Sequence, residues 1–263
     1  MGHRTGKLLL IGLGWFLAGM AAPLQAFVHI SADKPRLAGS AAAPEVVFVW
    51  DGAAPAIEDK EDFMDGVWAD LDDASLMQVL LTLAMGKWNE VEGSWLVLQL
   101  QVENGQQADS RDGIHALVLA EDVSLSVAAF ASPVYRSDKP EAEQTAAEKD
   151  TGIIHDCDIT VSSRSVSAKS LFSTLIHELG HCIGLGHPHA NWNSIMSYGR
   201  PSGSAHLGLD DMAGLIYLYS TDDEPPRELV ACGTTGSKQT GVWPGLLLLV
   251  PVFFGCRRRQ KPC

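Results

Sequence analysis

His177-Glu178-Leu179-Gly180-His181-Cys182-Ile183-Gly184-Leu185-Gly186-His187 is the stretch that decides how this chain is read. It closes a segment starting near Ala168 in which Leu171, Phe172, Leu175, Ile176, Leu179 and Ile183 recur with the period of an amphipathic helix. At ~100° per residue, His177 and His181 fall together on the side opposite the middle of that stripe, where two imidazoles four apart can ligate one zinc ion. Glu178 lies between them in angle, close enough to hold a metal-bound water without being a ligand. Gly184 marks the helix stop; a left-handed turn there swings the chain back and presents His187 as third ligand. His189 competes for that place but comes two residues late for the spacing. With 9 His, 13 Glu and 25 Gly in 263 residues, random order produces this five-residue pattern with probability roughly 5 × 10⁻⁵. A metal site is therefore the reading, over a surface helix with incidental histidines.

Three neutral imidazoles leave zinc its full charge and an open position for water, whose pKa falls toward ~7. Glu178 then serves as general base during attack on a peptide carbonyl and returns the proton to the leaving nitrogen. The reaction class is metal-assisted amide hydrolysis.

Upstream of the motif the elements alternate. Val46-Val47-Phe48-Val49-Trp50 reads as a strand, Phe63 to Val91 as a helix, and Trp95–Val102 and Ile114–Ala120 as strands, with a further strand at Ser124–Ala131. The acids from Glu58 to Asp73 crowd the start of the helix, where they favour the positive end of its dipole. Ser132–Gly152 is polar and reads as a surface excursion. Ile153–Val161 follows as a strand with Cys157, Ile159 and Val161 on one face and Asp156, Asp158 and Thr160 on the other. Helices and strands share one segment of ordinary domain size, so residues 46–220 form a single α/β or α+β domain, with 27–45 as a lead-in. Cys182 at the edge of the helix stripe and Cys157 on its strand could meet where helix packs on sheet. A Cys157–Cys182 disulfide is expected there, two buried thiols being the alternative.

The ends differ from the body. Lys+Arg 19 against Asp+Glu 32 gives a net charge of -13, but the six cations of residues 1–26 and 257–263 have no acids beside them, so residues 27–256 carry a net of -19. That excess repels phosphate, excludes nucleic acid as partner and favours cationic substrates at long range. Arg4 and Lys7 before the apolar run Leu8–Met20 read as a secretory signal over residues 1–26. Residues 221–241 are a polar linker, and 242–263 are an apolar stretch closed by Arg257-Arg258-Arg259. Two readings of this tail stand equal: a C-terminal sorting signal of a bacterial envelope protein with Cys232 as processing or lipidation point, and a plain membrane tail. An exported protein, secreted or held at the cell envelope or membrane, is expected.

His177–His187 also resembles the extended zinc motif of the metzincin metallopeptidases, and Ser194-Ile195-Met196-Ser197-Tyr198 resembles their methionine turn. The resemblance implies a zincin catalytic domain: a twisted, mostly parallel sheet, two long helices and a small C-terminal subdomain with a closing helix. It also implies Met196 as an apolar floor beneath the zinc and a protein or peptide substrate. The short gap before the turn and Leu209-Asp210-Asp211-Met212-Ala213-Gly214-Leu215 look most like the matrixin branch, where the acid pair caps or orders the turn region. Met196-Ser197-Tyr198 looks more like serralysins and makes Tyr198 a candidate fifth ligand or transition-state donor, against simple packing. The family also admits calcium, for which Asp109, Asp112, His155, Asp156 and Asp158 are candidates, turn or strand roles being the alternative. The cysteine latency segment and second zinc site of animal matrixins have no counterpart in the sequence. Substrate preference falls to the segment Gly199–Leu207 and to the strand bordering the cleft. Two other functions share the motif: a non-catalytic zinc-binding or interaction module of the same fold, and an amidase acting on cell-wall peptides.

Overall fold

Val46, Phe48 and Trp50 are buried along the second strand of the chain and set the middle of the sheet. The structure, a computed structural model, describes residues 27–109, 112–120, 128–135, 152–188, 192–201 and 203–221. The expected signal, the tail beyond Thr221 with Cys232, and His189 lie outside them. The elements are β1 (Arg36–Leu37), β2 (Glu45–Trp50), β3 (Ile57–Glu58), α1 (Asp73–Asn89), β4 (Val97–Val102), β5 (His115–Ala120), β6 (Ala129–Val134), β7 (Ile153–Ile154), β8 (Asp156–Ser162), β9 (Val166–Ser167), α2 (Ala168–Cys182) and α3 (Leu209–Tyr219).

Five strands form the main sheet in the order β4-β2-β5-β8-β6, parallel except for β6, which runs antiparallel to β8 at the edge. Pro133, which has no N–H for a ladder, is tolerated in β6 because that strand is last in the order. Two short parallel pairs, β1 with β7 and β3 with β9, flank the sheet. This is the mixed α/β architecture expected, with its mostly parallel sheet, two long helices and closing helix.

The first helix begins later than its apolar pattern predicts. Phe63–Leu71 does not join α1: Asp59, Met64 and Asp65 take positive φ, two short 3-10 turns occupy Lys60–Asp62 and Met64–Gly66, and Asp72 caps α1 by accepting from the Ser75 amide at 2.8 Å. Leu76, Met77, Leu80, Leu81, Ala84, Met85 and Trp88 are its buried face. Trp88 Nε1 donates to the Ile176 carbonyl at 3.0 Å, tying α1 to α2 one residue before the first histidine. β8 is more enclosed than a two-faced strand suggests: Asp156 and Asp158 are as buried as Cys157, Ile159 and Val161, because the strand lies between β5 and β6. A break at His155 separates β8 from β7.

Cys157 of β8 and Cys182, the last residue of α2, form a disulfide with their Cα atoms 5.5 Å apart, as the placement of both cysteines led us to expect. The bridge closes a loop with sequence separation 25, for which the chain-entropy argument gives about 3.5 kcal/mol of stabilisation. Paired Cys157→Ser and Cys182→Ser substitutions are expected to lower stability by about that amount. Denaturant melts of parent and double variant check it; equal midpoints would contradict it.

At the end of α2 the backbone turns through a Schellman motif: the Gly184 amide donates to His181 O at 3.0 Å and the Leu185 amide to Gly180 O at 2.9 Å. Gly184 has φ +103°, and a Cβ there would collide with the Pro35 carbonyl oxygen, so only glycine serves. Two further elements hold this corner. The buried Tyr219 hydroxyl donates to Ile183 O and accepts from the Leu37 amide, both at 2.8 Å. The lead-in chain pairs with the turn through Ile30 N to Gly184 O at 3.0 Å and Gly186 N to Val28 O at 2.7 Å.

Candidate metal centre

Buried helix, glycine turn and clamped corner together determine where three imidazoles point. His177 and His181 project from consecutive turns of α2, and His187 returns from the segment after the turn, just past the bridge between Leu185 and His29. Their Nε2 atoms converge: His177 to His181 3.2 Å, His177 to His187 3.1 Å, His181 to His187 3.1 Å. Three ligands held tetrahedrally at zinc–nitrogen distances near 2.05 Å stand about 3.3 Å apart, so the triangle fits one such ion. Among the described residues, these three histidines are the group able to hold a metal.

The outer nitrogens set the tautomers. His177 Nδ1 faces the Ile195 carbonyl oxygen and His181 Nδ1 the Leu185 carbonyl oxygen, each at 2.8 Å. Each Nδ1 therefore carries the hydrogen and donates it, which leaves the Nε2 lone pairs of His177 and His181 turned inward. Burial reinforces the neutral state. It pushes His177 down to about 3, with Arg200 and His181 adding to the effect, and lowers His181 as well. Neutral imidazoles with converging lone pairs are the donor set that a divalent ion of zinc's kind requires.

Glu178 is 8% exposed, and its Oε2 accepts from the Ala131 amide of β6 at 2.8 Å. That bond fixes the carboxylate between helix and edge strand and leaves Oε1 for another partner. Burial raises its carboxyl to about 7, against the pull of the Ala131 amide and the Arg200 charge.

Beneath α2, Gly180 lies between the two histidines of the helix, and a Cβ on it would overlap Met196 Sδ and press on Trp88. The buried Met196 is thus seated directly under the helix. Its turn is held by Asp211, whose carboxylate accepts from Ser194 Oγ at 2.5 Å, Ile195 N at 2.7 Å, Met196 N at 3.4 Å and Gly208 N at 2.7 Å. The same bonds start α3 and place the Ile195 carbonyl that orients His177. Burial raises the Asp211 carboxyl, and these donors pull it back. Tyr198 is 71% exposed, with its ring stacked on His187 at 3.7 Å between centroids and 19° between planes.

His177, Glu178, His181, His187, Met196 and Tyr198 thus gather at one place, whereas the calcium candidates Asp112, Asp156 and Asp158 gather around the backbone that enters β5. Asp112 accepts from the Ile114 amide at 2.8 Å, Asp156 from the Gly113 amide at 3.1 Å and Asp158 from the Ala116 amide at 3.1 Å. Burial, then the Asp158 charge, raises Asp156 to about 7. The folded protein therefore keeps a proton that the unfolded chain has lost above 3.8. The associated stability is full below that value and disappears as the pH rises to the folded pKa. Relative to the parent, Asp156→Asn is expected to gain thermal stability between about pH 5 and pH 8 and to gain none near pH 4. Thermal melts across that range in calcium-free buffer check it, and a pH-independent difference would contradict it. Sequence reasoning did not single out Arg200, whose Nη1 stands 3.0 Å from His177 Nδ1; only its place just after the methionine turn signalled it.

An α/β sheet with a helix-borne histidine pair, a third histidine after a glycine turn and a methionine turn under the helix defines the class of zincin-type metallopeptidases. Within that class the chain belongs to the matrixin family, whose sequence profile matches residues 83–220. It is 37% identical over 71 residues to human (Homo sapiens) matrix metalloproteinase-15, a stretch covering 26% of this chain and 10% of that relative. The match therefore spans about a tenth of the relative's length.

Proposed function

We propose that this protein is an exported zinc-dependent endopeptidase, with His177, His181 and His187 as metal ligands and Glu178 as general base. The observation that carries the reading is the triangle of Nε2 atoms at 3.1–3.2 Å beside a carboxylate with one engaged and one available oxygen. Zinc held by the three Nε2 atoms supplies Lewis acidity that lowers the pKa of water and draws charge from a peptide carbonyl oxygen.

Glu178 Oε1 takes the proton of the attacking water and delivers it to the departing amide nitrogen. A carboxyl raised by burial suits both halves of that task, since it accepts and releases a proton near neutral pH. The Ile195 and Leu185 carbonyls keep His177 and His181 in the ligating tautomer. Met196 packs the floor of the site. Tyr198, whose ring stacks on His187, would offer its hydroxyl to the carbonyl oxygen as negative charge develops there. β6 is the last strand in the sheet order, and an extended peptide laid along its outer side would pass Glu178. The exported state, and attachment to the envelope or membrane through the C-terminal tail, rest on the terminal sequences alone.

Incubation of the purified chain with a mixed peptide pool is expected to give internal cleavage that 1,10-phenanthroline stops and added zinc restores. Chelator-insensitive cleavage would overturn the metal assignment, and no cleavage by zinc-loaded protein would favour the non-catalytic module. Cleavage confined to cell-wall peptides would favour the amidase.

A further inference from the structure

One cation stands against the metal centre with no carboxylate partner among the described residues. Arg200 is half-buried, and its Nη1 lies 3.0 Å from His177 Nδ1 and 3.3 Å from the Ser197 carbonyl oxygen. The first approach is not a usable hydrogen bond. His177 Nδ1 gives its hydrogen to Ile195 O, so two donors face each other there. Among the described residues Arg200 is left with one long bond to Ser197, and no carboxylate reaches its guanidinium within 4.0 Å. Glu178 and Asp211 act on it only at longer range. A guanidinium carries five N–H donors in a planar fork, and here most are unfilled while water is partly removed. A carboxylate is the group that satisfies such a fork, by two parallel charge-assisted bonds.

The geometry points to Arg200 as a specificity-determining residue that selects peptides with an acidic side chain within a residue or two of the scissile bond. The inference rests on the peptidase reading, because that reading brings the substrate to His177 and Glu178. It opposes the long-range lean of the body, whose net charge is -19 over residues 27–256. The two effects act at different stages. Charges farther than about 8–10 Å are screened in ordinary buffer, so the acidic surface slows encounter, whereas a contact pair in a partly dry site governs what is held. Raising salt is accordingly expected to speed association of an acidic peptide.

The test uses the full zinc-loaded chain and a set of decapeptides identical except for Glu or Gln at one position in turn. Two quantities are read: kcat/KM with the parent, and affinity for Glu178→Gln by fluorescence anisotropy. At one position next to the cut, the Glu peptide is expected to be favoured about 10-fold or more in both. In Arg200→Gln the ratio falls toward one, in Arg200→Glu it inverts toward a Lys peptide, and Arg200→Lys retains part of it. Far-UV circular dichroism confirms that each variant is folded; Arg200→Lys serves if the others are not. A ratio near one in the parent, an unchanged ratio in folded Arg200→Gln, or no peptide binding at all would overturn the assignment. Discriminating binding without turnover would uphold Arg200 and defeat the peptidase reading; turnover without discrimination would do the reverse.

Discussion

Glu178→Gln is expected to lower kcat/KM on any cleaved peptide by roughly 10²–10⁴-fold while leaving metal content unchanged. The metal triangle uses only imidazole nitrogens, so losing the carboxylate removes the proton acceptor and no ligand. The amide is a cleaner change than alanine. Its carbonyl oxygen can still accept from the Ala131 N–H, whereas Glu178→Ala orphans that donor at a cost of about 1–3 kcal/mol. Equal stability of Glu178→Gln and parent, with activity lost, would locate the effect in chemistry. Undiminished cleavage would remove Glu178 from the mechanism.

Asp211→Ala is expected to damage stability more than any other single change at the site. Three donors lose their acceptor at once, Ser194 Oγ and the amides of Ile195 and Gly208, while the Met196 amide keeps only its bond to Ser194 Oγ. At about 1–3 kcal/mol for each buried donor left unpaired, with less than full additivity, the loss reaches about 4 kcal/mol or more. The consequence extends to the metal. Ile195 O accepts the hydrogen of His177 Nδ1, and loosening a partner of that kind typically weakens metal affinity 10–100-fold. Urea melts and competition with a zinc chelator measure the two effects separately. A stability change under about 1 kcal/mol would show that the turn is held by something other than Asp211.

The site was more legible than its surroundings because helical spacing converts directly into geometry. Residues four apart share a face, so His177 and His181 could be paired on sequence alone, and a glycine seven past the first histidine accounts for the return to His187. The disulfide was legible for a similar reason, since both cysteines sat on apolar faces of elements that had to pack together. The start of α1 was not, because the apolar spacing from Phe63 onward continues through residues whose left-handed backbone breaks the helix. The burial of Asp156 and Asp158 depends on β8 lying between two other strands, a fact of sheet order that no local pattern carries. Residues 27–30 clamp the Gly184–Gly186 corner through backbone groups, and backbone pairing over such distances leaves no side-chain signature. Arg200 was overlooked because an isolated arginine in a polar segment looks like solvated surface until His177 is seen beside it.

The most direct measurement is the metal itself. Mass-spectrometric metal analysis with X-ray absorption on the purified chain is expected to give one zinc per molecule, with imidazole nitrogens at about 2.0 Å in its first coordination sphere. His181→Ala is expected to lower that occupancy sharply while the disulfide-linked fold persists. A parent protein without bound metal, or His177→Ala, His181→Ala and His187→Ala variants that all retain it, would contradict a centre built from these three imidazoles.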